Sequence, residues 1–249
     1  MFYKKIPVIK RWVPSFRRRL LIFLNKKIFW TKIDNIFYLI DINQKHEREF
    51  YFEKKYEKDN FNFILNNSFF NDKFTFIDIG SNIGIYALFF AKNLKNCEKI
   101  IAIEPFAKVY KRLKNNISKN LFNDIIKPLN IGLSNTNGRK RIRSLSTKKT
   151  VQYATFEINS DGSEEIEVKE FDKLYSFENK NIFIKCDTEG HEFEIINGMK
   201  ENLINNNCLI QIEIFNKNLS KMNKLFLQLG FTYIGNTKER DSYFYIRNN

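Results

Sequence analysis

The run 184-IKCDTEGHEFEIINGM-199 crowds Asp187, Glu189, His191 and Glu192 into one short turn, with Lys185 just ahead of them. Ionisable groups packed this closely shift one another's pKa values and mark a candidate reaction site. An alcohol is a weak nucleophile until its proton is removed or polarised. A carboxylate or an imidazole takes that proton, and a divalent cation held by carboxylates would instead lower the hydroxyl pKa. Asp187, Glu189, His191 and Lys185 are therefore the candidate catalytic residues, and the sequence leaves a metal open. The plain alternative for these acids is a pair matching a helix dipole, and for His191 a helix-end residue that caps or packs. Glu213, an acid inside the apolar run CLIQIEIF, is a second candidate that faces the same cleft or pairs with Lys185.

A second constellation lies upstream in 76-FIDIGSNIGIYALFF-90. Its pattern is D-x-G-x-x-x-G, with Asp78 at the end of an apolar run and Gly80 and Gly84 bracketing Ser81, Asn82 and Ile83. It is neither the GxGxxG of a dinucleotide loop nor the GxxxxGK[ST] of a phosphate loop. A helix N-terminus draws anions, but Asp78 beside it repels phosphate and suits a cation. S-adenosylmethionine fits: it carries an ammonium, a sulfonium and a carboxylate, and no phosphate. Gly80 allows a tight turn, and Ser81 and Asn82 are placed to cap the helix or to hydrogen-bond the amino-acid portion. Glu104, followed by Pro105, ends the next predicted strand, where an acid accepts both ribose hydroxyls of a nucleoside.

These residues need a scaffold, and the pattern supplies one. Strands are expected at 36–42, 74–79, 99–103, 125–130, 181–186 and 208–215, with helical spacing at 46–65, 83–93, 106–120, 171–177, 192–203 and 217–229. The turn NTNG at 135–138 opens a polar, strand-like region that runs to residue 169. The segments 231–234 and 243–246 read as an antiparallel pair. Short links between alternating strands and helices predict an α/β fold, a mostly parallel sheet covered on both faces. The ends of its strands then gather both constellations at one edge.

The chain has 249 residues and a net charge of +14. Ten of its 42 basic residues, and none of its 28 acidic ones, fall in residues 1–33, so the rest is nearly balanced. This arm interleaves its bases with Trp12, Phe16, Phe23, Phe29 and Trp30, which suits an anionic lipid surface or an anionic polymer, or the solvated face of a packed helix. Its longest apolar run, Leu20 to Leu24, is too short for a signal peptide or a membrane span. Cys97, Cys186 and Cys208 show no metal-like spacing and are expected as free thiols of a reducing compartment. The expected division is an arm and first strand over 1–45 and a main domain over 46–249. The expected location is cytoplasmic, with the arm at the inner membrane face.

The DIGSNIG loop, the Glu104-Pro105 pair, the segment Asn130 to Ser134, IKCDTEGHE and IQIEIF, in that order, resemble the FkbM-type methyltransferases over residues 70–246. Lys185, Asp187, Glu189, Gly190 and Glu192 form the distinguishing part. The resemblance implies a Rossmann-like class I methyltransferase fold with a seven-stranded, mostly parallel sheet whose last strand is antiparallel. It implies S-adenosylmethionine-dependent O-methylation, typically of sugar hydroxyls in bacterial surface glycans or of natural products. Carried over by position, Asp78, Gly80, Asn82, Gly84 and Glu104 contact the cofactor, Asn130 lies near the adenine, and Lys185, Asp187 and Glu189 face the transfer centre. Cys186 departs from the family's usual aliphatic residue.

Two other readings compete. Ribose methylation of a nucleic acid fits the basic charge, although that charge lies in the arm and not along the strand ends. A non-catalytic membrane- or glycan-associated adaptor would keep the fold, but a dead site is expected to lose either the cofactor loop or the acidic turn. The acceptor pocket falls to residues 139–170 and the N-terminal segment, the least patterned parts.

Overall fold

The computed structural model describes residues 27–53, 57–147, 150–158, 164–237 and 241–248. Residues 1–26, most of the basic arm, lie outside the described residues.

The chain opens with a hairpin of β1 (Ile28–Ile33) and β2 (Ile36–Asp41), followed by α1 (Lys45–Glu53) and α2 (Lys58–Leu65). The single helical stretch expected over 46–65 is therefore two helices. Glu57 sits between them in the left-handed region, at φ 45°. Then come β3 (Phe74–Ile79), α3 (Ile85–Asn93), β4 (Cys97–Ile103), α4 (Ala107–Lys119) and β5 (Ile126–Leu129). The polar region forms β6 (Gly132–Leu133), β7 (Gly138–Thr147), β8 (Thr150–Ile158) and β9 (Glu164–Lys169), a separate four-stranded sheet in the order β6-β9-β7-β8.

A short 3₁₀ turn at Phe171–Lys173 replaces the helix expected over 171–177. The second half of the main domain is β10 (Asn181–Cys186), α5 (Glu192–Asn197), α6 (Lys200–Ile204), β11 (Asn207–Glu213), α7 (Leu219–Gln228), β12 (Thr232–Thr237) and β13 (Ser242–Arg247). The expected helix over 192–203 is split at Gly198, where a Cβ would stand 2.0 Å from the Ser134 carbonyl oxygen. A close backbone crossing thus divides what the periodicity joined.

Seven strands make the main sheet, in the order β12-β13-β11-β10-β3-β4-β5. β3, β4, β5, β10 and β11 are parallel, and β13 alone runs against its neighbours. This is the expected mostly parallel sheet with an antiparallel last strand. Strand side chains alternate between faces, and the central strands are apolar on both, so they feed two cores. Phe76, Ile100, Phe183 and Leu209 pack with α3, α4 and the β1–β2 hairpin. Their neighbours Ile77, Ile101, Ile184 and Ile210 pack with α5, α6 and α7. Phe76, Phe90 and Phe183 stack at the centre of the first core, with centroids 4.4 to 5.3 Å apart.

The hairpin shares that core through Ile33, Ile36, Tyr38 and Ile40. It is tied to α4 by Asn116 Oδ1, which accepts from Leu39 N–H at 2.7 Å, and by Asn120 Oδ1, which accepts from Phe37 N–H at 2.9 Å. A buried ion pair between Glu47 and Arg112 joins α1 to α4. The cysteines are free, as expected, and all three are buried.

Candidate active site

The strand order reverses between β3 and β10, and ligands of open α/β sheets bind beyond the carboxyl ends at such a point. The parallel register sets Asp78 on β3 opposite Lys185 on β10. A cavity of about 470 Å³ opens above them, and the two sequence constellations meet in it. Asp78, Gly80, Ser81, Asn82, Glu104 and Pro105 line one side. Lys185, Asp187, Glu189 and His191 line the other.

Asp78 is 1% exposed, and neither carboxylate oxygen meets a hydrogen-bond donor. Burial pushes its pKa from 3.8 up to about 6, against the opposing pull of Lys185 and the nearby Ser81 hydroxyl. The Ser81 hydroxyl itself donates to the Asp78 carbonyl at 2.6 Å and does not cap a helix. Helix α3 begins after Gly84 and has no side-chain cap.

Glu104 is 5% exposed and accepts two backbone N–H groups, from Asn82 at one oxygen and from Phe106 at the other, both at 2.9 Å. Burial raises its pKa from 4.5 to about 7, and these two bonds temper the rise. Each carboxylate oxygen keeps a second lone pair. The acid therefore fixes the loop while it faces the cavity.

Burial opposes the charge of Lys185, but the carboxylates of Asp187, Glu57, Asp78 and Glu213 outweigh that and raise its pKa above the ordinary lysine value. Its ammonium donates to Asp187 Oδ2 at 3.1 Å and lies 4.9 Å from the centre of the Tyr86 ring. Glu213, the second-tier acid, contributes to this field but lines a smaller adjoining cavity of about 210 Å³.

The turn after β10 is held by Glu192, whose Oε1 accepts from Gly190 N–H at 2.9 Å and from the N–H and hydroxyl of Thr188 at 3.1 Å. Of the four crowded groups, Glu192 thus shapes the turn. Glu189 sits in it at φ 57°, an uncommon conformation for a side-chain-bearing residue. His191 Nε2 lies 3.0 Å from Ser134 Oγ, and Nδ1 lies 3.5 Å from Glu194 Oε2. Burial lowers the His191 pKa, Glu194 opposes this, and Lys140 adds to it. Both ring nitrogens of His191 thus face polar partners, as Asp187 faces Lys185.

Gly80 is required by a contact that the motif does not reveal. It has φ +76°, and a Cβ there would stand 2.0 Å from the Asp187 carbonyl oxygen. The cofactor-loop glycine thus lets the two constellations touch. Gly80→Ala is expected to cost at least about 2 kcal/mol from the left-handed backbone and the collision together. Urea denaturation of the two proteins measures it.

Two residues expected at the cofactor, Gly84 and Asn130, do not line the cavity. Gly84 has φ +87°, and a Cβ there would meet Leu113 Cδ1 at 2.6 Å, so it serves the packing of α3 on α4. The Asn130 side-chain amide donates to the carbonyls of Glu104 and Pro105, each at 2.9 Å, and so pins the β4 end. The sequence reading missed Tyr86, which follows the loop on α3, and His46 on α1, both of which line the cavity. Tyr86 sits in an apolar helical run that reads as core. His46 sits in a charged helix with no motif around it, so neither carried a signal. Ile166 and Val168, from the polar region, add an apolar wall together with Ile131 and Leu133. Among the described residues no group of three or more His, Cys, Asp or Glu is placed to hold a metal ion.

The model of the methyltransferase FkbM domain matches residues 78–233. The chain belongs to the FkbM methyltransferase family. The match begins at Asp78 itself, and it leaves His46 and the β1–β2 hairpin outside the FkbM domain. No curated protein matches the sequence. Among solved structures the chain is similar to the methyltransferase FkbM from Methylobacillus flagellatus KT, at 18% identity and a TM-score of 0.52, over 71% of this chain and 44% of that one. The chain therefore spans less than half the length of that relative. It is also similar to the METTL16 methyltransferase domain, at 16% identity and a TM-score of 0.45, over 75% and 66% of the two chains. A further similar structure is M. jannaschii TYW2 in complex with AdoMet, at 10% identity and a TM-score of 0.42, over 88% and 84%. At these identities the likeness to the Methylobacillus protein is one of fold, the Rossmann-like arrangement that the sheet order displays.

Proposed function

We propose that the chain binds S-adenosylmethionine and transfers its methyl group to a hydroxyl, the acceptor being a sugar of a surface glycan or a related metabolite. The observation that carries this reading is Asp78: a buried carboxylate whose oxygens accept no hydrogen bond in good geometry, in the lining of a cavity beside Lys185 and Asp187. Lys185 offsets only part of the cost of burying that carboxylate, and an ammonium on the ligand would offset more of it. The residues present fit the cofactor. Asp78 meets the amino-acid ammonium, Glu104 takes the ribose hydroxyls, and Ile131, Leu133, Ile166 and Val168 offer an apolar wall for a flat base.

The cofactor, when bound, supplies an electrophilic methyl group on sulfur. The chain's own part is to place the acceptor and manage its proton. Asp187 takes the hydroxyl proton, and Lys185 holds that carboxylate in place. Glu189, in its strained turn, orients the acceptor together with His46, the cavity residue outside the FkbM domain.

Calorimetric titration of S-adenosylmethionine and S-adenosylhomocysteine tests the reading. Wild-type protein is expected to bind both in the micromolar range. Asp78→Asn and Glu104→Gln are expected to weaken binding roughly ten- to a hundredfold, the loss of a charge-assisted hydrogen bond. Wild-type affinity for the cofactor should also fall as pH drops through about 6, where Asp78 takes a proton. No binding by folded wild-type protein would end the methyltransferase reading and favour the adaptor.

A further inference from the structure

The β1–β2 hairpin has one face in the core and one outside it. The inner face carries Ile33, Ile36, Tyr38 and Ile40, and Phe29 packs edge-on against Tyr51 of α1. By strand alternation and register, Ile28, Trp30 and Lys32 of β1 share the outer face with Phe37, Leu39 and Asp41 of β2, and Asp41 accepts from Asn43 N–H at 3.0 Å. Ile28 is 53% exposed and Trp30 43%, among the largest apolar exposures of the described residues.

Two lysines flank this apolar patch. Lys32 lies 5.3 Å from the Phe37 ring centre, and Lys119, from the end of α4, lies 5.9 Å from Trp30 and 5.5 Å from Phe37. The surface continues along α4, where Lys108, Lys111, Lys114 and Lys119 are exposed. From Pro105 to Asn123 there is no acidic residue.

We propose that this composite face, the outer side of the hairpin together with the lysine stripe of α4, docks the protein on an anionic lipid bilayer. Tryptophan and aliphatic side chains flanked by lysine suit the headgroup region, where apolar groups sink while ammoniums meet lipid phosphates. Charge complementarity selects this occupant over the chain's own N-terminal segment. Residues 1–26 carry eight basic residues and no acidic one, so they would repel Lys32 and Lys119 and would join them in attracting an anionic surface. A nucleic acid would match the lysines but would leave Ile28 without a partner. The inference is independent of the methyl donor, since it uses no cavity residue.

The test uses the full chain with vesicles of phosphatidylcholine alone and of phosphatidylcholine mixed with phosphatidylglycerol. Wild-type protein is expected to float with the mixed vesicles only, and less so as salt is raised. In a Trp12→Phe background, the emission of Trp30 is expected to shift to the blue on binding. Reversing three charges in Lys32→Glu/Lys111→Glu/Lys119→Glu is expected to weaken binding by at least about a hundredfold. Ile28→Ser/Trp30→Ser is expected to weaken it about tenfold or more while leaving the far-ultraviolet circular dichroism unchanged. Vesicle binding that survives both variants would assign the contact to residues 1–26 alone and overturn the proposal. Binding of duplex or single-stranded nucleic acid without vesicle binding would overturn it as well.

Discussion

Asp187→Asn is expected to lower the rate of methyl transfer by about 10²–10⁴-fold while changing the affinity for S-adenosylmethionine only a few-fold, the signature of a lost general base. Asp187 directly follows β10, lines the cavity and accepts from the Lys185 ammonium at 3.1 Å. Asparagine keeps the shape and a hydrogen-bonding oxygen but takes no proton. The measurement is S-adenosylhomocysteine formation against a panel of sugar acceptors, beside a calorimetric titration of the cofactor. A turnover unchanged in the variant would move the proton-accepting role to Glu189. A collapse of cofactor affinity would instead make Asp187 part of the cofactor site.

The second large effect is on stability. Lys185→Met removes the ammonium that Asp187 accepts from and whose charge also acts on Asp78, and leaves buried carboxylates uncompensated, a loss of about 3–5 kcal/mol. Its pH dependence has a definite sign. Burial raises the folded-state pKa of Asp78 above its ordinary 3.8, to about 6, and that of Glu104 above 4.5, to about 7. A group with a raised folded-state pKa contributes stability that is present below its unfolded value and is lost as pH rises through the folded one. Wild-type protein without ligand should therefore lose part of its stability between about pH 4 and pH 7 from these two acids. Without Lys185 the Asp78 pKa rises further, so the variant's deficit should be large at about pH 8 and shrink towards about pH 5. Urea denaturation at the two pH values measures this. A deficit that does not depend on pH would mean that Lys185 acts through packing and not through its charge.

Much of the site was legible before the fold. Asp78, Gly80 and Glu104 stand out because the loop lacks GxGxxG and a phosphate lysine and carries an acid at the strand end, and all three line the cavity. Lys185 and Asp187 stand out because charge is rare at the end of an apolar strand. The strands themselves follow from apolar runs too short for helices. The sequence pattern could not show which charged residues serve the turn and which serve the cavity. Glu192 looks as catalytic as Glu189 in the string, and only its three accepted hydrogen bonds mark it as the brace of the turn. Gly84 and Asn130 read as cofactor contacts, and the fold shows a packing role for the one and a pinning role for the other.

Local pattern set the order of the core strands from β3 onward, their burial on both faces, and the residue types at the strand ends, but it left β1 inside the basic arm. These are local properties, set by side-chain period and by the backbone freedom of glycine. Tertiary structure alone decided what stands opposite what. The register of β3 on β10 pairs Asp78 with Lys185. The crossing at Gly80 brings the two loops into contact, and the docking of α1 carries His46 to the cavity from outside the FkbM domain. Those juxtapositions join residues far apart in the chain, and no local periodicity encodes them. They arise when the sheet closes and its burial fixes which atoms share a space.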